Sequence, residues 1–405
     1  MDPMRKWAVI AVAVITTAVV IGIVLPGITL WAPLWLKEFG GGPDSVMLAT
    51  TLNQVGSAAI APFVGYAVSR VAVRYLMLLG VVATGLALIG VAFATAMWQV
   101  TVLHALVLSA GVVLAGPVVG QVLAVRLFQE NRGLAIGVVT AGASVSTFTM
   151  PPLINLLLAN GLDWRTAELV MAGLVFALVP LIYFVVRETP AALADESAPE
   201  VLPQPTLTIG EILSGRAFIA ILLTLIPIWI VFNAIYYPMG MFLGELGASP
   251  TDVGATVSLM GFISLFAVVT FGGLADRISP WTLMALSTVV VTGGFALVVS
   301  VKSYDLLFFI LPVIGFMFGG IMSLGPAMFA KHYGAANFAL AGGLSQPFFV
   351  VAAFSPFVVG LLRPNFPDYS SVFLAMMATL PVSYLGLALL RLPQRPPAGE
   401  AVAPA

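Results

Sequence analysis

The residues of this chain that could do chemistry are neutral amides and phenols, each set in a long apolar run. Asn53 and Gln54 are adjacent in one run, and Asn233 and Tyr237 lie four apart in another, which places them on one helix face. Such groups can hydrogen-bond a small solute. Their alternative role is hydrogen bonding between helices, which contributes about 0.6 kcal/mol per bond in a membrane. The residues that we expect to line a binding cavity are Asn53, Gln54, Asn233, Tyr236, Tyr237 and Gln346.

Apart from tyrosines, His104 is the only titratable side chain that we place inside an apolar run. It is a candidate proton carrier, because a histidine changes its charge near neutral pH. The alternative is a neutral hydrogen-bond partner in a helix contact. We place no Lys, Arg, Asp or Glu deep within any run. Since the chain has no cysteine and two histidines, we expect no disulfide, metal site, cofactor or enzymatic activity.

The composition is typical of a chain embedded in a lipid membrane. Of its 405 residues, 60% are apolar and 8% charged, against about 25% charged in soluble domains. The net charge of −1 gives no reason to expect a nucleic-acid partner. The first apolar run extends from Trp7 past Leu30, longer than the ~7–15 residues of a cleavable signal core, so we expect it to be retained.

Charged and turn residues divide the sequence into twelve apolar runs, each close to the ~20 residues that a membrane helix needs. The split between the third and fourth runs, near Ala96 and Trp98, has the fewest polar residues to mark it. We predict helices at residues 7–35, 46–68, 75–97, 98–125, 134–158, 167–186, 217–243, 253–274, 281–300, 306–330, 338–361 and 370–390. We expect prolines to kink them at Pro26, Pro117, Pro227, Pro238 and Pro356.

The loops carry basic residues asymmetrically. With twelve spans, twelve of the 16 Lys and Arg residues fall on one side and four on the other. Basic loops stay in the cytoplasm, so we predict that both termini are cytoplasmic in a multi-pass protein of the inner (plasma) membrane. The four on the other side are Lys37, Arg165, Lys302 and Arg363.

The two halves of the chain repeat each other. The sequence WLKEFGGGPDSV overlays FLGELGASPTDV after a shift of 207 positions, which pairs Glu38 with Glu245. We predict an all-α membrane protein made of two parallel-repeat bundles of six helices, at residues 1–186 and 216–391. Residues 187–215, rich in Pro, Ala and acidic residues, form a linker, and 392–405 a tail. Thr208 and Glu211 have the spacing of a capping box, which predicts a short helix before the seventh span.

The turns after the second and eighth runs carry a family motif. They read GYAVSRVAVR (65–74) and GGLADRISP (272–280), and resemble the major facilitator loop motif G-x-x-x-D-R-x-G-R. The first copy has Ser69 where the acidic residue usually stands. The resemblance implies a twelve-helix transporter that works by alternating access. It also implies a cytoplasmic latch at Gly65, Arg70, Gly272, Asp276 and Arg277; the alternative is ordinary basic charge on short turns.

The first half shows a narrower likeness. RGLAIGVVTAGASVSTFTMPPL (132–153) and GLDWRTA (161–167) resemble the monocarboxylate and oxalate/formate porters. That likeness implies a small organic acid as substrate, carried by symport with a proton. The Asp and Arg that this branch typically carries in its eighth helix are replaced here by Leu265 and Val269. The alternative is therefore an exporter or facilitator of a neutral or aromatic, amphipathic molecule. In either case we expect a monomer whose partners are its solute, the lipid bilayer and, for a symporter, the proton.

Overall fold

The computed structural model describes residues 3–68, 71–128, 132–186, 207–275 and 277–391, and every regular element in these ranges is a helix. In the first half the helices are Pro3–Val24, Ile28–Phe39, Pro43–Val68, Val73–Ala92, Met97–Val102, the π-helix Leu103–Leu108, Ser109–Ala115, Pro117–Leu127, Arg132–Ala159 and Trp164–Val185. In the second half they are Ile209–Leu213, Arg216–Tyr236, Met239–Glu245, Pro250–Ala275, Pro280–Ser300, Tyr304–Ala353, Ser355–Leu362, the 3-10 helix Arg363–Asn365, Tyr369–Met377 and Pro381–Arg391.

Within these ranges, eleven segments are long and apolar enough to cross a membrane. Pro43–Val68 is a further helix of 26 residues, whose apolar character is diluted by Asn53 and Gln54. We number these twelve segments in chain order as spans 1–12, with Pro43–Val68 as span 2. The other eleven are Met4–Phe39, Val73–Ala92, Met97–Ala124, Ala141–Ala159, Trp164–Val185, Arg216–Tyr236, Pro250–Ala275, Pro280–Ser300, Tyr304–Tyr333, Leu340–Asn365 and Tyr369–Arg391.

Span 10 and the first part of span 11 lie in one helix, Tyr304–Ala353, of 50 residues. A straight helix of that length would rise ~75 Å, more than twice the thickness of a hydrocarbon core. The chain instead returns to the end of the bundle from which it came. The Tyr304 hydroxyl donates to the carbonyl of Asp252 over 3.1 Å, and Arg363 forms an ion pair with Glu245. Both partners flank the turn between spans 7 and 8.

Prolines interrupt the helices where the sequence predicts kinks. Span 1 is broken at residues 25–27, around Pro26, and a break at Pro238 separates the helices that end at Tyr236 and begin at Met239. Pro117 and Pro356 open new helical segments, where a missing N–H removes no hydrogen bond. Pro227 lies inside the continuous helix Arg216–Tyr236, so no helix end occurs there.

The two ends of the bundle differ in charge, and we name them by it. The basic face carries the chain's amino-terminal end and the ends of spans 2 and 4, where Arg126 donates to the carbonyl of Val68 over 2.7 Å. The far face carries Glu38 and Glu245. Spans 1–6 pack chiefly with one another, as do spans 7–12. The predicted all-helical fold of two six-helix bundles is confirmed.

Contacts between the bundles concentrate toward the far face. A Cβ atom added at Gly240 would lie 1.8 Å from the carbonyl oxygen of Thr29, and one added at Gly360 would lie 2.4 Å from the Cα atom of Asp44. Toward the basic face, a Cβ added at Gly272 or Gly342 would meet nothing within 4 Å. The bundles are therefore in direct backbone contact at these two points of the far-face half, whereas Gly272 and Gly342 near the basic face have open space beside them.

Candidate substrate cavity

A cavity of about 480 Å³ lies between the bundles, on the basic-face side of the contacts at Gly240 and Gly360. Gln54 from span 2 faces residues of spans 7, 10 and 11 across it. A second lobe of about 200 Å³ adjoins it and shares Trp229, Asn233 and Met322 as lining residues. No Lys, Arg, Asp, Glu or His occurs among the described residues that line either lobe.

One wall of the cavity is a continuous series of aromatic rings, which we call the aromatic ladder: Phe349, Trp229, Phe318, Phe232, Tyr236 and Tyr237. Trp229 meets Phe318 edge-on at 4.9 Å between centroids, and Phe232 stacks on Phe318 at 3.5 Å. Phe232 also stacks on Tyr236 at 5.3 Å, and Tyr236 meets Tyr237 edge-on at 5.5 Å. Residues 229, 232, 233, 236 and 237 share one face of span 7 because their spacing follows the helical repeat.

Five of the six residues predicted to line a cavity do lie along it. Gln54, Asn233 and Gln346 line the larger lobe, and Asn233, Tyr236 and Tyr237 line the smaller one. The side-chain Nδ2 of Asn233 donates to the carbonyl of Ala352 over 3.3 Å, which joins span 7 to span 11. The Nε2 of Gln54 is buried and has no hydrogen-bond partner among the described residues.

The sixth residue, Asn53, is placed elsewhere. It is buried in the first bundle, where its Nδ2 donates over 2.9 Å to the backbone carbonyl of His104. His104 is itself buried, and its ring meets Trp35 edge-on at 5.5 Å between centroids. It lies in the π-helix Leu103–Leu108, a form that often marks functional sites. Asn53 and His104 thus form a helix contact behind the cavity wall.

Two ion pairs hold the outer ends of the bundles. Arg165 pairs with Glu38 at 3.1 Å and donates to the carbonyls of Ala92 and Ala94, each over 2.7 Å. In the second bundle, Arg363 pairs with Glu245, the residue that the internal repeat aligns with Glu38. Glu38 and Glu245 lie near the end of the first helical stretch of each bundle, whereas Arg165 lies at the start of the sixth span and Arg363 just before the twelfth. This equivalence reflects the repeat seen in the sequence.

The predicted latch is described only in part. Arg70 and Asp276 lie outside the described residues. Gly65 and Gly272 lie in helices near the basic face, and Arg277 is exposed just after span 8. The latch therefore stays a prediction. The capping box is confirmed, because Thr208 and Glu211 exchange side-chain and backbone hydrogen bonds at the start of Ile209–Leu213.

Sequence reasoning missed two features of the site. It named Tyr236 and Tyr237 but no other residue of the aromatic ladder, although the spacing of Trp229, Phe232 and Tyr236 along one helix face could have suggested an aromatic lining. It also placed no acidic residue deep within a span. Glu168 lies just one turn inside span 6, and its side chain is buried at 1% exposure. The predicted start of that helix at 167 left this residue at the end of the run, whereas the helix begins at Trp164.

Comparison with known proteins gives a consistent result. Residues 7–353 match the sequence pattern of the family described as "Major Facilitator Superfamily". The chain is 25% identical over 261 residues to "Multidrug resistance protein MdtG" of Proteus mirabilis, covering 61% of this chain and 62% of that protein. It is 25% identical over 262 residues to MdtG of Yersinia enterocolitica, covering 61% and 60% respectively. The match thus spans about three-fifths of the length of these relatives.

A solved structure of similar fold is a bacterial homolog to the human lysosomal transporter Spinster, in an inward-facing and unoccupied conformation. The TM-score is 0.78 with 13% sequence identity, and the match covers 96% of this chain and 97% of that one. At this identity the likeness concerns the fold alone.

Proposed function

This chain belongs to the Major Facilitator Superfamily and is a membrane transporter, and we propose that it exports neutral or aromatic, amphipathic small molecules by alternating access. The basic face is taken as cytoplasmic, since basic loops remain on that side of the membrane. Because the bundles touch at Gly240 and Gly360, on the far-face side of the cavity, the solute would enter the cavity from the cytoplasm.

The observation that carries this proposal is the uncharged aromatic lining of the cavity. The ladder offers ring faces and edges from Trp229 to Tyr237, and Gln54, Asn233 and Gln346 add hydrogen-bonding groups beside it. Apolar walls with a few polar groups are the usual form of a site for a drug-sized ligand. The names of the MdtG relatives concern multidrug resistance, which supports the same substrate class.

The organic acid suggested by the resemblance to monocarboxylate porters is the second candidate. A carboxylate moved into this cavity would meet no cation among the described lining residues, and an unpaired charge away from water is costly. The three amides and two phenols of the lining can donate hydrogen bonds to a carboxylate or to its neutral acid, but none of them carries a charge that would neutralise the carboxylate. The cavity therefore favours the neutral or aromatic solute.

A binding screen separates the two candidates. The purified chain is heated with matched pairs of aromatic compounds that differ in charge alone, such as naphthamide against naphthoate. We expect the neutral member of each pair to raise the melting temperature and the carboxylate to leave it unchanged. Trp229→Phe should weaken the shift, whereas Trp98→Phe, at a position 66% exposed on the bundle surface, serves as the matched control. A consistent preference for the carboxylates would overturn the proposal in favour of the organic acid.

A further inference from the structure

Span 6 carries a carboxyl group inside the first bundle. Glu168 is 1% exposed, and its Oε2 atom is buried without a hydrogen-bond partner among the described residues. It lies on the buried face of the helix, in line with Ala167, Met171 and Val175. A carboxyl group at the rim of a membrane protein could turn out toward water, but this one points into the packed interior. An ionised carboxylate in such a place is costly unless a cation pairs with it.

The depth of Glu168 is fixed by the contacts around it. At the far face, Phe39 of span 1 meets Trp164 of span 6 edge-on at 5.8 Å between centroids. Span 1 runs toward the far face and span 6 runs away from it, so Trp35 and Glu168 each lie one turn farther in from that contact. Trp35 is fully buried, and its Nε1–H donor has no partner. An unpaired donor and an unpaired acceptor thus lie at the same depth.

Unpaired polar groups continue from this level to the cavity. Trp35 contacts His104, whose Nδ1 has no partner, and His104 accepts a hydrogen bond from Asn53 through its carbonyl. The Oδ1 of Asn53 is also unpaired, and the neighbouring Gln54 lines the cavity. Buried polar groups without partners in the protein are the usual sites of internal water. In spans 7–12, the described side chains that are buried and unpaired are hydroxyl groups only, at Ser287, Tyr333 and Ser383.

Charged groups near Glu168 are few. Span 6 packs against spans 1, 3 and 5. Apart from the residues at the far-face end of span 1, the titratable residues of these spans lie at the basic face, away from Glu168. These are Arg5, Lys6, Arg74, Tyr75 and Arg132, and Tyr183 of span 6 itself also lies there. Lys37 is exposed at the far face. Arg165 is the nearest cation along the helix, and its guanidinium is occupied by Glu38 and by the carbonyls of Ala92 and Ala94.

We propose that Glu168 is a proton-binding site of this transporter, connected to the central cavity by Trp35, His104, Asn53 and internal water. In the conformation described, the group is the neutral carboxylic acid, since no cation is in place to pair with its charge. Opening of the far face would bring water to it from one turn away, and the acid would exchange its proton there. Binding transfers one proton from a hydronium ion in that water to a carboxylate oxygen, so one O–H bond of the hydronium ion breaks as the O–H bond of the acid forms. A role in driving export rests on the proposed function; proton binding itself does not.

Infrared difference spectroscopy tests the protonation directly. The full chain is placed in lipid nanodiscs, and the C=O stretching band of a protonated carboxylic acid is followed as the pH is varied around neutrality, where exposed carboxyl groups are charged. We expect the wild type to show such a band at neutral pH. Glu168→Gln should remove it, and Asp305→Asn, which changes an exposed acid at the far face, should leave it unchanged. Absence of the band from the wild type at neutral pH would overturn the proposal. This measurement uses the wild type alone and so does not depend on the folding of any variant.

A transport measurement then separates a proton carrier from a merely structural acid. Proteoliposomes carry the neutral fluorescent amine N-phenylnaphthylamine, and its movement is measured under a pH gradient and, separately, by counterflow exchange without one. Glu168→Gln should lose the response to the gradient and keep the exchange, because exchange needs no net movement of protons. An unaltered response to the gradient in Glu168→Gln refutes the coupling role. If the wild type moves no probe while the infrared band is present and depends on Glu168, the proposed export function fails and the proton site stands.

Discussion

Replacing Gly240 by alanine should drive the transporter out of the conformation described here. The added Cβ would lie 1.8 Å from the carbonyl oxygen of Thr29 and 3.0 Å from its carbonyl carbon. A backbone carbonyl cannot move aside as the end of a flexible side chain can, so span 1 and the helix Met239–Glu245 must move apart. Overpacking of this kind costs about 1–3 kcal/mol. This cost destabilises only the conformation in which the two helices touch. The ratio of the far-face-open state to the state described here should therefore rise about 5–150-fold.

The chain offers a clean assay and a matched control. Because it contains no cysteine, spin labels can be attached to cysteines introduced by Asn160→Cys and Thr251→Cys, two exposed positions on opposite bundles at the far face. In Gly240→Ala the distance distribution between the labels should shift to longer values. Gly244→Ala, one turn later, adds a Cβ with nothing within 4 Å and should leave the distribution unchanged. If Gly240→Ala lowers the melting temperature while the distances stay as in the wild type, the glycine serves packing alone and the reasoning is refuted.

Three further results are expected. Asn233→Ala should weaken binding of a neutral aromatic solute by about 1–3 kcal/mol in a thermal-shift titration, and unchanged binding would remove Asn233 from the site. A double-mutant cycle on Glu245→Gln and Arg363→Gln should give a coupling of about 0.2–1 kcal/mol, and strict additivity of the melting temperatures would show that the pair contributes nothing. The hydrogen bond from Lys302, with those from Ser371, lowers the pKa of Asp368 to about 2. Its stabilisation is thus present above the ordinary carboxyl pKa of about 3.9 and is lost as the pH falls through about 2, so the melting-temperature deficit of Asp368→Ala should shrink in acid.

The path of the chain could be predicted from the sequence because its physical causes are local. Apolar runs of membrane-spanning length bounded by charged turns located the spans to within several residues, since lipid admits only helices with satisfied backbones. Four of the five prolines expected to kink a helix lie at a helix break or open a new segment. The linker predicted at 187–215 lies in its first part outside the described residues and stays a prediction, whereas the short helix Ile209–Leu213 begins at the predicted cap.

The site was less predictable because it depends on how each helix is rotated and where it begins. Asn53 and Gln54 are adjacent, and sequence alone does not say that Gln54 faces the cavity while Asn53 faces His104. The π-helix at Leu103–Leu108 rotates the residues that follow it around the helix axis, and no residue type in the sequence predicts a π-helix there. Glu168 was overlooked for a similar reason, since a difference of three residues in the start of span 6 decides whether its carboxyl group lies at the rim or inside.

Export of a neutral aromatic compound is the central claim, and transport by the purified chain tests it most directly. Proteoliposomes containing the wild type are loaded with N-phenylnaphthylamine or with naphthoate, and the movement of each compound is followed under an inwardly and an outwardly directed pH gradient. The uncharged aromatic cavity predicts saturable transport of the amine, reduced in Trp229→Phe and unchanged in Trp98→Phe. Naphthoate should not be transported. Saturable movement of naphthoate, with none of the amine above that of empty vesicles, would contradict it.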